Sequence, residues 1–371
     1  MSKIRICING MTENEQIRGP VRYIYEIVSN MPTSDFDIYL IAGKWQKCVY
    51  ESLEMKVNVI YFDINQSKLS RALFFIFYMP MVIKIYNIDI YHIPDTNPLP
   101  LFRRKAKVIS TIHDCAEFVV PGRFSFFQTV FRKIISRFQA LFSDCIITVS
   151  QSSKDDILKY HAISRTKVHV VYNGITRLPV ELNDVPIREE RKNIPYILYV
   201  GVLEKEKNVE RLVEAFSQLK EGLKQSVKLY LVGRKGNAYD AICYVINKYS
   251  LHDSVEIFGY VEDYELNNLY EHALVFAYLS EYEGFGLPIL EAMQYGIPVL
   301  TSNKSSLKEV AGDAALLTDT SVKDIKNNLT LLLSDVEMRE MYKAKGKCKA
   351  QEFCWQKAAI ETGLLYKQII Q

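Results

Sequence analysis

Short apolar runs rich in Ile, Val and Tyr alternate with helix-length segments along nearly the whole chain; the alternation breaks once and then restarts. Before the break, KIRICING (3–10), DIYLIAG (37–43), VNVIYFD (57–63), DIYHI (89–93), KVISTIHD (107–114), CIITVSQ (145–151) and VHVVYNG (168–174) read as strands. PVRYIYEIVSNM (20–31) and the segment following SQSSKDDI fill two of the gaps as helices. Continuous apolar strands joined by helices predict a parallel sheet covered on both faces. The break is RLPVELNDVPIREERKNIP (177–195), with two internal prolines, many charges and no apolar period; it reads as a linker. Strands then resume with YILYVGV (196–202), KLYLVG (228–233), VEIFG (255–259), LVFAYLS (274–280), PVLTSN (298–303) and AALLTD (314–319). The expected fold class is therefore α/β: two doubly wound, Rossmann-like domains (1–176 and 196–350) facing across a cleft. Residues 351–371 read as a C-terminal helix packing back toward the first domain. Asn208 is a candidate helix cap, and Ser306 with Glu309 a candidate capping box.

Length and composition agree with that picture. A chain of 371 residues, 49% hydrophobic and 24% charged, can bury a core in each of two domains. The net charge of +3 implies no bulk attraction to nucleic acid. Charge is uneven, however: residues 1–180 carry 23 Lys+Arg against 15 Asp+Glu, a basic half suited to an anionic partner. Seven cysteines, with no C-x-x-C pair, read as reduced thiols of a cytoplasmic protein. The longest uncharged apolar run, ALFFIFYMPMVI (72–83), falls short of the roughly 20 residues a bilayer-crossing helix needs.

Ligands of doubly wound sheets bind beyond the carboxyl ends of the strands, which directs attention to EYEGFGLPILEAMQYGIPVL (281–300). A strand ends, a Gly-Phe-Gly turn follows, and a helix opens with Pro288 near its first position, where a missing N–H costs nothing. Gly284 and Gly286 permit positive φ and close approach of a ligand. The exposed N–H groups of a helix start suit a phosphate or diphosphate. Glu283 and Glu291 flank this anion seat, and each carboxylate can accept hydrogen bonds from a diol. A ligand with hydroxyls at both ends and charge in the middle is a nucleotide sugar. A surface Glu283 and a helix-favouring Glu291 would be the bland alternative, which the two glycines and the proline make less economical.

The turn EGFGLPILEAM, with its E-x7-E spacing, resembles the signature of the family 4 retaining glycosyltransferases, which have the GT-B fold. SDCIITVSQSSKDDI (143–157), VHVVYNGI (168–175), VGVLEKEKN (200–208), LYLVG (229–233), VEIFGYVEDYELNNLYEHA (255–273), IYHIPDTNPLP (90–100) and TIHD (111–114) extend the resemblance over almost the whole chain. The resemblance implies roles by position. Glu283 would bind hydroxyls of the transferred sugar and Glu291 those of the ribose. The backbone from Gly284 through Phe285 and Gly286 to Leu287 would hold sugar and diphosphate, and Lys207 would neutralise the leaving diphosphate. Gly19 would let its loop approach the diphosphate, His113 would contact the donor sugar, and Val261 would meet the base through its backbone. Where the family carries an arginine this chain has Val202 and Glu206, with Lys205 as the nearest substitute. Leu279 stands where a proline is usual, and Gly19-Pro20 replaces paired glycines.

No cofactor and no metal are expected, since the only D-x-D, Asp35-Phe36-Asp37, leads into a strand from the end away from the cleft. The implied reaction retains anomeric configuration, the departing diphosphate oxygen taking the proton of the incoming hydroxyl. The implied partners are a nucleotide-sugar donor, with GDP-mannose as leading candidate, and a glycan or polyprenyl-diphosphate-linked acceptor of surface-polysaccharide (O-antigen-type) synthesis. RFSFFQTVFRKIISRFQALF (123–142), KLSRALFFIFYMPMVIK (68–84) and FRRKAK (102–107) interleave aromatic and basic residues, suggesting peripheral contact with the inner face of the plasma membrane. Buried helices of an α/β domain show similar edges. The competing readings are a UDP- or dTDP-sugar-dependent transferase and a noncatalytic scaffold of the same fold.

Overall fold

The computed structural model describes residues 3–13, 15–17, 19–101, 105–176, 194–219 and 221–371. The linker stretch up to residue 193 and residues 102–104 of the basic cluster lie outside them. The chain divides into two units: Met1–Gly174 with Cys354–Gln371, and Ile175–Phe353.

The first unit is built on a seven-stranded parallel sheet of order β3-β2-β1-β4-β5-β6-β7. Its strands are β1 (Ile4–Asn9), β2 (Phe36–Gly43), β3 (Asn58–Phe62), β4 (Ile90–Ile93), β5 (Lys107–Thr111), β6 (Cys145–Thr148) and β7 (Val168–Val170). Several end sooner than their apolar runs suggest. β5 stops at Thr111, so His113 falls in the loop beyond it, and β6 stops at Thr148, where Ser150 caps the next helix. The principal helices are α1 (Pro20–Asn30), α2 (Lys68–Leu73), α3 (Met79–Ile85), α4 (Phe126–Phe142) and α5 (Gln151–His161).

Both faces of this sheet are covered, as apolar strands require. In β1 the alternation is explicit: Ile6 and Ile8 join one core cluster with Ile24, Val28 and Trp355, while Cys7 joins another with Phe75, Met79 and Val82. The first face is completed by the C-terminal helix Trp355–Ile370. Its Tyr366 hydroxyl is 2.6 Å from His92 Nδ1, its Lys367 pairs with Asp35 at 2.8 Å, and Tyr366 meets Phe36 edge-on. The crossovers from β3 to β4 and from β5 to β6 run the same way along the sheet. Right-handed connection therefore places α2, α3 and α4 together on the second face.

Between α2 and α3 the chain forms a π-helical turn, Phe74–Tyr78. Pro80 has no N–H to offer the carbonyl of Ile76 four residues earlier, and the backbone N–H of Leu101 fills that place at 3.0 Å. The outward faces of these helices remain apolar. Phe127 is 83% and Phe126 76% exposed on α4, with Phe131, Ile134 and Phe138 exposed further along, and Leu69 is 71% exposed on α2.

The second unit carries a six-stranded parallel sheet of order β10-β9-β8-β11-β12-β13. Its strands are β8 (Tyr196–Val200), β9 (Lys228–Val232), β10 (Val255–Gly259), β11 (Val275–Tyr278), β12 (Val299–Ser302) and β13 (Leu316–Thr318). The helices between and after them include α6 (Val209–Ser217), α7 (Tyr239–Lys248), α8 (Asp263–His272), α9 (Leu287–Tyr295), α10 (Ser305–Ala311), α11 (Val322–Ser334) and α12 (Val336–Ala350). β8 and β11 are hydrogen-bonded neighbours at the centre of the sheet, so the loops leaving their carboxyl ends start side by side. Among the described residues, no helix is long and apolar enough to cross a membrane.

Candidate functional site

β11 is buried along its length and ends at Tyr278; the chain then turns through Leu279–Gly286 into α9. Gly286 caps that helix with φ 106°, a backbone conformation L side chains avoid, and a Cβ there would sit 2.6 Å from the side chain of Leu307. The glycine is needed on both counts. Pro288 occupies the first turn, as expected. This turn is stitched to the loop after β8. The N–H of Glu281 donates to the carbonyl of Glu206 at 2.8 Å, and the Ser280 hydroxyl reaches the same carbonyl at 3.4 Å.

Three elements converge on Glu283. The buried ammonium of Lys207, from a 3-10 turn after β8, forms an ion pair with Glu283 Oε1. The hydroxyl of Tyr278, the last residue of β11, donates to the same oxygen at 2.6 Å. From α10, the hydroxyls of Ser305 and Ser306 donate to the Glu283 carbonyl at 2.8 and 2.9 Å. The carboxylate is thus only 16% exposed, with both its main chain and its side chain restrained. Burial, then the charge of Glu283, drives the Tyr278 phenol well above its ordinary pKa, so it stays protonated and remains a donor. Glu291 lies in the second turn of α9 and accepts a hydrogen bond from Tyr270 of α8 at 3.1 Å on Oε2.

A second network supports the same turn. Asn208 Nδ2 donates to the carbonyl of Leu279 at 2.9 Å and to Glu281 Oε1 at 3.0 Å. Thr320 also donates to Glu281, and Arg211 lies 3.6 Å from it. This corrects one expectation: Asn208 sits at the N-cap of α6 in a left-handed conformation, but its side chain bridges to the turn after β11 instead of capping. A second correction concerns Ser306, which makes no capping box with Glu309. α10 begins two residues earlier than that box requires, Lys304 is its cap residue, and the Ser306 hydroxyl is spent on Glu283.

The structure brings Lys207 and Glu283 into contact and places Gly284, Phe285, Gly286, Leu287 and Glu291 on the same turn and helix. Phe285 is buried edge-on against Phe353 at 5.6 Å. Lys205 is exposed, its backbone N–H held by Asn237 at 2.8 Å. Val261, buried, follows the end of β10. Leu279 is buried, and the turn uses its carbonyl. Gly19 and His113 belong to the first unit. Gly19 heads α1 with φ 53°, and with no heavy atom within 4 Å of a would-be Cβ it is conformation, not space, that calls for glycine. His113 Nε2–H donates to the carbonyl of Pro94 at 2.9 Å, and its ring packs edge-on to Tyr23 at 4.9 Å.

Tyr278, Ser305 and Asn208 are the site residues that spacing alone does not find. The one local signal is a polar hydroxyl on the last residue of an otherwise apolar strand. Among the described residues, no group of three or more His, Cys, Asp or Glu is placed to hold a metal ion.

Comparison with known proteins follows the same division of the chain. Residues 17–177 match the family model described as Glycosyltransferase Family 4, and residues 182–349 match that described as Glycosyl transferases group 1. The Escherichia coli O-antigen chain mannosyltransferase B is 31% identical over 331 residues, covering 82% of this chain and 85% of that protein. The Escherichia coli serotype-specific mannosyltransferase WbdA is 29% identical over 226 residues, 58% of this chain, which there spans only 28% of the relative's length. Among solved structures, Anabaena HepE in complex with UDP and glucose matches with a TM-score of 0.75 at 18% identity, over 98% of this chain and 100% of that one, a likeness of fold. With both halves matched and a relative of this identity over most of its length, the chain belongs to the family 4 glycosyltransferases and has their two-domain GT-B fold.

Proposed function

We propose that this glycosyltransferase moves a sugar, with retention of configuration, from a nucleotide-sugar donor to a hydroxyl of a glycan or polyprenyl-diphosphate-linked saccharide in surface-polysaccharide synthesis. GDP-mannose is the leading donor, a choice supported by the two relatives that are mannosyltransferases. The observation that carries the reading is the meeting of Lys207, Tyr278 and Glu283 beside a glycine turn that opens α9. Glu283 then binds hydroxyls of the sugar, and Glu291 those of the ribose. The amides from Gly284 to Leu287, with Lys207 and the exposed Lys205, meet the diphosphate, whose charge grows as the glycosidic bond breaks. Family resemblance adds His113 to the sugar and Gly19 to the diphosphate, and Val261 to the base. The departing diphosphate oxygen takes the acceptor's proton, so no separate base is invoked.

A membrane-borne acceptor is supported by the first unit. Residues 64–88 and 118–143 contain no Asp or Glu, while Lys68, Lys84, Arg123, Arg132, Lys133 and Arg137 accompany the exposed apolar residues of α2 and α3 and the exposed aromatics of α4. Such a surface suits the anionic headgroups of the inner face of the plasma membrane.

The test is thermal unfolding of the full chain with GDP, GDP-mannose, UDP and dTDP. A ligand at 100 times its Kd stabilises the native state by about 2.7 kcal/mol, enough to raise the melting temperature visibly. Shifts with GDP and GDP-mannose are expected. A shift with UDP or dTDP alone would replace the donor, and none with any nucleotide would leave a noncatalytic scaffold as the better reading.

A further inference from the structure

We infer that Tyr278 is a positioning residue for glycosyl transfer: its phenol holds Oε1 of Glu283 so that Oε2 remains the free acceptor for the donor sugar. The inference rests on the reading of Glu283 as a ligand of that sugar. Both donors that reach the carboxylate, the Tyr278 hydroxyl at 2.6 Å and the Lys207 ammonium, converge on Oε1. Among the described residues, Oε2 accepts no hydrogen bond.

The two donors are not equivalent. Lys207 is a cation on a flexible four-carbon stem, and in the proposed reaction it has a second claimant, the diphosphate of the donor. Once a diphosphate draws on the ammonium, its hold on Glu283 weakens. Tyr278 has no such competitor. Its ring is almost fully buried, lies 5.7 Å from Tyr199 and 6.2 Å from Phe276 with interplanar angles of 16° and 12°, and is anchored on the central strand β11. Swinging away would require repacking the middle of the sheet. The adjacent Tyr199 does not duplicate the role, since its hydroxyl donates to the carbonyl of Val202 at 3.0 Å. Lys207 Nζ also sits 5.7 Å from the Tyr278 ring centroid, so one aromatic side chain steadies both partners of the ion pair. Tyr278 therefore keeps the carboxylate oriented in the part of the cycle when Lys207 serves the leaving group.

The experiment compares Tyr278→Phe, Glu283→Gln and the double variant, with Tyr199→Phe as a packing control. It measures kcat and KM for the donor, GDP affinity and melting temperature on the full chain. Y278F is expected to lower kcat about 10-fold or more, the scale of a hydrogen bond to a charged group, with GDP affinity within about twofold of wild type. In the E283Q background the same change should cost almost nothing, and Y199F should leave kcat near wild type. Wild-type kcat in Y278F with E283Q impaired overturns the positioning role and leaves Glu283 standing. Wild-type kcat in E283Q overturns the reading of Glu283 itself. Effects of Y278F and E283Q that multiply fully would show Tyr278 acting independently of Glu283, against the proposal. Should Y278F fail to fold, 3,5-difluorotyrosine at 278 keeps the ring with a more acidic phenol. The high-pH limb of kcat should then move to lower pH, and an unmoved profile overturns the role.

Discussion

Glu283 and Glu291 share one short segment but are restrained differently, and this separates their expected effects. Glu283 is gripped by an ammonium, a phenol and two serine hydroxyls, whereas Glu291 accepts the Tyr270 hydroxyl of α8 at 3.1 Å. Removing Glu291 should therefore loosen a binding contact, whereas removing Lys207 takes away the charge that stabilises a developing diphosphate. We expect Glu291→Ala to raise the donor KM about 10-fold with kcat largely kept, and Lys207→Ala to lower kcat about 100-fold, both read from initial rates at varied donor. Equal effects on kcat in the two variants would argue against this division. Local sequence announces Glu283 and Glu291 because a glycine turn and a helix start are short-range signals. The partners are another matter: Lys207 is 76 residues from Glu283 and Ser305 is 22 away. Only the adjacency of β8, β11 and β12 makes them neighbours.

Each helix of the first unit shows two faces, and sequence legibility differs between them. The inner face follows from periodicity, whereas α4 and the α2–α3 segment interleave apolar and basic residues on more than one face, and periodicity alone does not say which apolar residues are buried. The structure leaves Phe126, Phe127 and Phe131 of α4 exposed while Ser136, Gln139 and Ala140 face inward. The outward aromatics therefore contribute little to stability in water. We expect Phe127→Glu with Phe131→Glu to reduce co-sedimentation with vesicles containing anionic phospholipid by about 10-fold or more, without lowering the melting temperature. At about 3 Å Debye length in 1 M salt the wild-type binding should also weaken. Unchanged vesicle binding in the double variant would remove the support that this face lends to a membrane-borne acceptor.

The first unit as a body depends on a segment from the far end of the chain. Cys354–Gln371 belongs to it, and Trp355, Ala358 and Tyr366 complete one of its core clusters. Ending the chain at residue 353 would expose that cluster, at about 2 kcal/mol for each large apolar side chain uncovered, and take the tyrosine partner from buried His92. Loss of near-ultraviolet circular dichroism and fast proteolysis of residues 1–174, with the second unit intact, are expected.

Histidines tie the same unit to pH. Burial, then His113, pushes His92 down to about 3, and burial, then Arg137, pushes His161 down to about 4. Unfolded, both return to about 6.5. Above that pH both states are neutral at these positions and stability is full. Below it the unfolded chain binds protons the folded chain refuses, so stability falls by up to about 1.4 kcal/mol per pH unit for each histidine until the folded value is reached. Urea unfolding at pH 7 and pH 5 should show the loss, and His92→Gln should reduce it to the share of His161; equal midpoints would contradict the assignment.

By itself the sequence determined the periods: apolar strands joined by helices could only become parallel sheets, and Gly-Phe-Gly before Pro288 could only become a turn opening a helix. These are short-range consequences of sterics and of burying one face of each element. Which hydroxyls hold Glu283, where Asn208 and Ser306 spend their hydrogen bonds, and which tyrosine of the last helix meets buried His92 were decided by tertiary structure. Those choices depend on strand order, and strand order brings together residues whose separation along the chain carries no local signal.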